Sequence, residues 1–396
     1  MIGSGDVDDS GGDTYPIGST MARDGRGKLR VGVIGYGYWG SKHVRVLAAM
    51  PDVAVAVADG DSARLIQARR AFPNMRLARS VDEVLREVDA IVVATPPRTH
   101  AEIAQAAVDA GCHVMVEKPL GISVAECEAL IDSAEKAGVV LMVGHTFEYN
   151  AAVWKLRELV STGELGNTRY IDTARLNLGL YQKDVNVVWD LAAHDVSILN
   201  FLLGRLPATV SAWGHNHATD GLEDVAHLQL RYEDSPLSAY LHVSWLDPCK
   251  VRRVTVVGSE KMAVYNDVAT NERIRVYDVG VAPSSAVDDL QAMPMSYRYG
   301  DIVSPYIPFE EPLAVEDGHF IDCARHDARP RSDGTSGLAV VRVLEAASVA
   351  LSTGAEVSVD GIGNELDRTD PARGPAGRDN AAIGSPDQAI GTGAAL

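Results

Sequence analysis

Between Leu29 and Gly144 the chain repeats short, uninterrupted apolar runs, LRVGVIG, VAVAVAD, AIVVAT, HVMVEK and VVLMVG, with helical stretches separating most of them. Strands covered on both faces read this way, so the pattern predicts a parallel sheet built from βαβ units. A further, short strand is expected near Arg76 and Leu77. After Asn150 the texture changes. A helix is expected from about Ala151 to Thr162, and the segments beyond it alternate. In LSAYLHVSW, Leu237, Ala239, Leu241, Val243 and Trp245 share one face; DVAHLQLRY does the same with Ala226, Leu228, Leu230 and Tyr232, and VRRVTVVG follows. Alternation marks strands with one covered face, which predicts an α+β second domain around a mostly antiparallel sheet. Its other face is left for substrate, another subunit, or both.

The punctuation sets the boundaries: a disordered tail over 1–27, a first domain over 28–150, a second over 151–358 and a second tail over 359–396, both tails being rich in Gly, Asp, Ser, Pro and Ala without apolar periodicity. A length of 396 residues with 46% hydrophobic content fits two domains, each with its own core. A formal charge of -18 repels phosphate backbones and anionic membranes, so neither nucleic acid nor a membrane surface is an expected partner. The four cysteines form no C-x-x-C pair, no export signal is expected at the start, and no stretch is expected to stay apolar for about 18 residues. A cytoplasmic location is the expectation.

The string GYGYWG sets Gly35, Gly37 and Gly40 in the G-x-G-x-x-G spacing, directly after a strand and ahead of a helical stretch. Gly35 permits the tight turn, Gly37 lets backbone approach a pyrophosphate, and Gly40 allows close helix-to-strand packing. Tyr36, Tyr38 and Trp39 belong to the same cofactor loop, and the helix N-terminus offers about half a positive charge to the phosphates. The next strand ends at Asp59, where a carboxylate can accept the adenosine ribose hydroxyls. Gly60 and Asp61 follow it rather than arginine, so NAD is expected over NADP, with Arg64 as the opposing feature. Thr95, Pro96 and His100, where AIVVA runs into TPPRTH, are further cofactor candidates; each also suits a rigid turn or a helix cap.

The chemistry is expected from EKPLG and WDLAAHD. Lys118, between Glu117 and Pro119 at the end of a buried strand, can reach the nicotinamide face and stabilise alkoxide character on a reacting oxygen, and both Glu117 and Lys118 are further cofactor-binding candidates. Asp190 and His194 stand four residues apart, which stacks them on one face of an ideal helix. An imidazole near its ordinary pKa of about 6.5 suits proton removal, with the carboxylate one turn away orienting it. Asp190 could instead cap the helix, His194 could be a satisfied core histidine, and Asp195 is a second possible partner. GHTFEYN places His145, Glu148, Tyr149 and Asn150 at the handover between domains, so His145, Tyr149 and Asn150 are substrate candidates beside Lys118, Asp190 and His194. Asn150 also fits a helix cap, and His145 a structural role. No chelating H-E-x-x-H or Cys/His spacing occurs, and no metal is assigned.

In order and spacing, GYGYWG, Asp59, ATPPRTH, EKPLG, GHTFEYN and WDLAAHD resemble the Gfo/Idh/MocA family of oxidoreductases, with the likeness covering about residues 29 to 358. The resemblance implies an N-terminal Rossmann domain, a C-terminal domain with a large open-faced sheet, and a closing helix over about Gly337 to Ser352. It implies Lys118, Asp190 and His194 as the catalytic set and a homodimer or homotetramer assembled through the sheet. It also implies NAD(P)-dependent hydride transfer at a ring hydroxyl or keto group of a sugar, sugar nucleotide, amino sugar or cyclitol. Two other outcomes stay open: an NAD-retaining glycosidase acting by transient oxidation and elimination, and a non-catalytic NAD-binding sensor. WDLAAHD stands where many members carry a Gly-rich D-x-G-x-H version, which leaves the particular substrate unassigned.

Overall fold

The computed structural model describes residues 27–360, apart from 183, 219, 220, 234 and 284–294. The expected tails therefore lie almost wholly outside the described residues. The five apolar runs and the weak strand become β1 (Leu29–Ile34), β2 (Val53–Ala58), β3 (Arg76–Ala78), β4 (Ala90–Val93), β5 (His113–Glu117) and β6 (Leu141–Gly144). They pair in parallel in the order β3-β2-β1-β4-β5-β6. The strand order reverses between β1 and β4, and ligands of open α/β sheets bind at the carboxyl ends of strands beside such a switch. Helices α1 (Tyr38–Ala48), α2 (Ser62–Ala71), α3 (Val81–Leu85), α4 (His100–Asp109) and α5 (Val124–Ala137) cover its two faces.

The second domain begins with α6 (Ala151–Ser161), capped by the Asn150 side chain, which accepts from Ala152 N. It continues through β7 (Thr168–Leu176), α7 (Ala193–Leu203), β8 (Thr209–His215), β9 (Val225–Arg231), β10 (Ser238–Ser244), β11 (Val251–Gly258), β12 (Met262–Asn266), β13 (Ile274–Pro283) and β14 (Met295–Val303). After α8 (Pro312–His326) and α9 (Gly334–Thr353) comes β15 (Val357–Ser358). Nine strands form one sheet in the order β14-β13-β12-β11-β7-β10-β9-β8-β15, antiparallel except where β7 meets β10. The alternation is realised side by side: Leu237, Ala239, Leu241, Val243 and Trp245 are all buried, while Tyr240 on the opposite face is exposed.

Two expectations change. The division at Asn150 is not the end of the first domain, because α8 folds back onto it and puts Phe320, Ile321 and Cys323 into one core with Val31, Val44 and Leu47. Ser332 and Asp333 likewise lie alongside β6, with Val143 N donating to Ser332 O at 2.7 Å. The second correction concerns α9, whose 20 residues are long and apolar enough to cross a membrane by length and composition, contrary to the sequence expectation. Its burial explains that composition: Val340, Val341, Val343, Leu344, Ala346, Ala347 and Ala350 are enclosed in the larger core, which makes it a core helix shared by both domains.

One buried ion pair fixes α7 on the second sheet. Arg175 of β7 donates from Nε and Nη2 to the two oxygens of Asp195, at 3.0 and 2.8 Å, with both side chains almost wholly enclosed. Removing one partner of such a pair strands the other charge in a low-dielectric interior, which costs about 3–5 kcal/mol. Asp195→Ala is accordingly expected to lower the free energy of unfolding measured in urea by that margin; a change within about 0.5 kcal/mol, the usual size for surface positions, would contradict the role assigned to the pair.

Candidate active site

The turn between β1 and α1 needs its glycines at two places for steric reasons. Gly35 has φ +94, and a Cβ there would lie 2.7 Å from Ala94 O; a Cβ on Gly40 would lie 1.8 Å from Gly35 O. At Gly37 the nearest atom to a Cβ is the Arg64 guanidinium at 3.8 Å, so the space above it is open for a phosphate. The α1 N-terminus has no side-chain cap, which leaves its amide donors available to an anion. Tyr36 is buried, whereas Tyr38 is exposed and packs edge-on against Trp39 under the Lys42 ammonium.

Asp59 stands at the end of β2, as expected. Its oxygens accept from Tyr36 N at 2.7 Å and Asp61 N at 2.8 Å, and Arg64 Nη1 lies 3.5 Å away. A cavity of about 370 Å³ opens beside it, lined by Gly35, Asp59, Arg64, Arg79, Thr95 and Pro96 among others. Its apolar walls and single recessed carboxylate fit an adenosine, so the residues present suit a dinucleotide. His100 does not reach this cavity. Its ring is buried with Nδ1 2.7 Å from Pro119 O and Nε2 2.8 Å from Thr95 O, so it braces one cofactor-side turn against the other instead of touching a ligand.

Glu117 is also corrected. It is buried, accepts from His43 Nε2 at 3.0 Å through one oxygen and from Lys118 N at 3.1 Å through the other, and His43 Nδ1 in turn lies 2.7 Å from Asp317 of α8. Burial opposes a charge on His43, but Asp317 and Glu117 outweigh it and hold the imidazole protonated well above its ordinary range. The acid–imidazolium–acid row joins α1, β5 and α8, and it anchors the backbone from which Lys118 projects.

Lys118 reaches across to the second domain. Its Nζ donates to Asp190 O at 2.7 Å and to Asp190 Oδ1 at 3.1 Å, and the side chain is 10% exposed. The other Asp190 oxygen accepts from Trp245 Nε1 at 2.9 Å. The expected Asp190–His194 contact therefore does not form. Val188–Ala192 make a π-helical turn before α7 starts at Ala193, and a wider turn takes residues four apart out of the stacked arrangement of an α-helix.

His194 nonetheless borders the same cleft, partly accessible and edge-on to Phe147 at 5.3 Å. Desolvation, reinforced by the Lys118 and Arg175 charges, holds its pKa well below 6.5, so it is a neutral imidazole. His145, at the end of β6, is buried with neither ring nitrogen hydrogen-bonded among the described residues, and burial pushes its pKa down to about 4. Tyr149 and Asn150 turn elsewhere. The Tyr149 hydroxyl bonds Ser332 Oγ at 2.9 Å and Asn150 caps α6 while donating to the Tyr265 hydroxyl, so both are structural. Their place after a 3₁₀ turn, Thr146–Tyr149, rotates them away from the cleft that His145 enters.

Sequence reasoning missed two residues here. Trp245, just past β10, fits the buried face of LSAYLHVSW, and only its indole N–H reveals the second role. Arg252 carried a usable signal, since it shares a face with Val254 and Val256 in VRRVTVVG, and a cation in an apolar row needs a reason.

A glycine turn built for a pyrophosphate, an adenosine-sized cavity and an ammonium held between the two domains define a dinucleotide-dependent oxidoreductase. The Gfo/Idh/MocA model described as "Oxidoreductase family, NAD-binding Rossmann fold" matches residues 29–145, and the model of that family's C-terminal domain matches 153–264; the chain belongs to the Gfo/Idh/MocA family. It is 35% identical over 198 residues to UDP-N-acetylglucosamine 3-dehydrogenase of Acidithiobacillus ferrooxidans, a match spanning 48% of this chain and 60% of that protein. The solved structure of that dehydrogenase superposes with a TM-score of 0.67 at 26% identity, covering 82% of this chain and 97% of that one. GenD2 from gentamicin A biosynthesis, solved in complex with NAD, gives a TM-score of 0.72 at 26% identity over 87% and 99% of the two chains. D-apiose dehydrogenase of Paraburkholderia graminis is 22% identical over 347 residues, 85% of this chain and 91% of that protein.

The buried neutral His145 has a measurable consequence. Its folded pKa lies below its unfolded value, so between pH 6.5 and about 4 the unfolded chain binds a proton that the folded chain refuses, and this group removes stability as pH falls. The stability difference between His145→Gln and the wild type should move in the variant's favour across that interval. A difference independent of pH, measured by urea unfolding, would show that His145 is not held neutral.

Proposed function

We propose that the protein is an NAD(P)-dependent dehydrogenase or ketoreductase acting on a ring hydroxyl or keto group of a sugar, sugar nucleotide, amino sugar or cyclitol. The observation that carries this reading is the Lys118 ammonium, delivered by the first domain onto Asp190 of the second, beside a neutral His194. NAD(P), held by the glycine turn and Asp59, would supply the hydride acceptor or donor. An ammonium has three N–H groups; two are bound to Asp190, and the third is left for a substrate oxygen. Directed at an alcohol, it stabilises the alkoxide character that develops as the C–H bond breaks. His194, neutral above its lowered pKa, accepts the hydroxyl proton in oxidation and returns it in reduction. Asp190 positions Lys118 rather than His194.

Sugar-directed activities named for relatives, UDP-N-acetylglucosamine and D-apiose dehydrogenation, favour this substrate range. Asp59 recessed at the ribose end of the cavity favours NAD over NADP, with a higher kcat/KM for NAD as the expected outcome. Four free cysteines, three of them buried, accord with a reducing cytoplasm. The exposed face of the second sheet carries Tyr170, Trp213 and Tyr240, which suits a homodimer or homotetramer formed through it. Sedimentation showing a monomer at all concentrations would exclude that assembly.

Lys118→Ala tests the mechanism. Loss of one pre-organised donor to a developing oxyanion lowers kcat by about 10²- to 10³-fold, while the dissociation constant for NADH should change far less. A variant with near wild-type turnover on a sugar oxidised by the wild type would remove Lys118 from the chemistry.

A further inference from the structure

Lys118 lies on Asp190, Arg175 on Asp195 and Arg273 on Asp267, whereas Arg252 has no carboxylate partner among the described residues. Arg252 stands directly across from Arg175 in the β11–β7 register and faces the side of the sheet that carries α7. Nη1 donates to the carbonyls of Leu176 and Val251, at 3.2 and 3.0 Å, and Nη2 donates to Asn177 Oδ1 at 2.8 Å. Those contacts fix the guanidinium but leave donors on Nε and Nη2, the two nitrogens through which Arg175 grips Asp195.

Its position relative to the reacting groups is set by neighbours. Asn177 follows β7 and donates its backbone N–H to Ser244 O, one residue before Trp245, whose indole holds Asp190. The Arg252 charge reaches His194, helping to keep it neutral, and the acids that act on Arg252 are already engaged: Asp195 by Arg175, Asp267 by Tyr265 and Arg273, Asp190 by Lys118 and Trp245. Burial, with Arg175 alongside, pushes the Arg252 pKa down to about 10. A half-buried cation without a counter-ion is costly until an anion joins it.

We propose that Arg252, held by Asn177, binds an anionic group of the substrate, a carboxylate or a phosphate, carried on the sugar whose hydroxyl lies at Lys118. This deepens the dehydrogenase reading and rests on its placing of the substrate in this cleft. The test is calorimetric binding to the full chain loaded with NADH, which needs no turnover. The probes are D-glucuronate for a carboxylate, D-glucose 6-phosphate for a phosphate monoester, UDP-glucose for a diphosphate, and neutral D-glucose. At least one anionic probe should bind about 10- to 100-fold tighter than D-glucose, the range for a hydrogen-bonded charge pair, and Arg252→Gln should abolish that margin. Arg252→Lys, which keeps the charge but not the fork, should retain only part of it. NADH fluorescence titration of each variant reports an intact fold. Equal binding of all four probes by the wild type, or a margin unchanged in Arg252→Gln, would overturn the proposal. Selective anion binding together with no NAD reduction on any of these sugars, in a separate assay of the chain with NAD, would contradict the dehydrogenase reading while leaving Arg252 as an anion site.

Discussion

The ammonium of Lys118 rests on Asp190, and that contact between two domains is the constraint around which the site is arranged. One partner hangs from the end of β5 and the other from a π-helical turn ahead of α7, so the cleft has a defined width only while both supports hold. With Lys118 10% and Asp190 23% exposed, the pair is shielded enough for breaking it to be far more costly than losing a surface ion pair, which is worth about 0–1 kcal/mol. Rigidity here has a functional reading, since a donor that must meet a developing alkoxide loses effect with small displacements.

The supports on either side are themselves buried charges. Behind Lys118, the Glu117–His43–Asp317 row ties β5 to α1 and to α8, while behind His194 the Arg175–Asp195 pair ties α7 to the second sheet. Placing so many ionised groups in the interior is unfavourable by itself and is compensated only because each meets a partner at hydrogen-bonding distance. His145, whose ring nitrogens have no bond among the described residues, and Arg252, without a carboxylate partner there, stand out against that pattern; both act electrostatically on His194.

Much of this was legible in the chain. Uninterrupted apolar runs gave the parallel sheet and alternating ones the antiparallel sheet because burial on two faces or one leaves a direct mark on residue order. Gly35, Gly40 and Asp59 could be placed because their roles depend on local backbone geometry within one βα unit. What escaped was non-local or irregular. The docking of α8 onto the first domain involves residues nearly three hundred positions apart, as in His43 Nδ1 to Asp317. The π turn breaks the 3.6-residue rule on which the Asp190–His194 pairing rested, and Tyr149 and Asn150 turn to structural partners because a 3₁₀ turn rotates successive side chains by about 120°. His100 and Glu117 lay at the right strand ends but turned inward as braces, which spacing alone does not distinguish from ligand contact.

The account's central claim is that Lys118 and His194 converge on the reacting end of the cofactor. A crystal structure of the chain with NAD bound tests it most directly. The account requires the nicotinamide ring to lie in the cleft with Lys118 Nζ and the His194 ring on the same side, near enough for a substrate oxygen about 3 Å from each to sit over the ring carbon that exchanges hydride. A nicotinamide placed elsewhere, or either side chain turned out of that cleft, would contradict it.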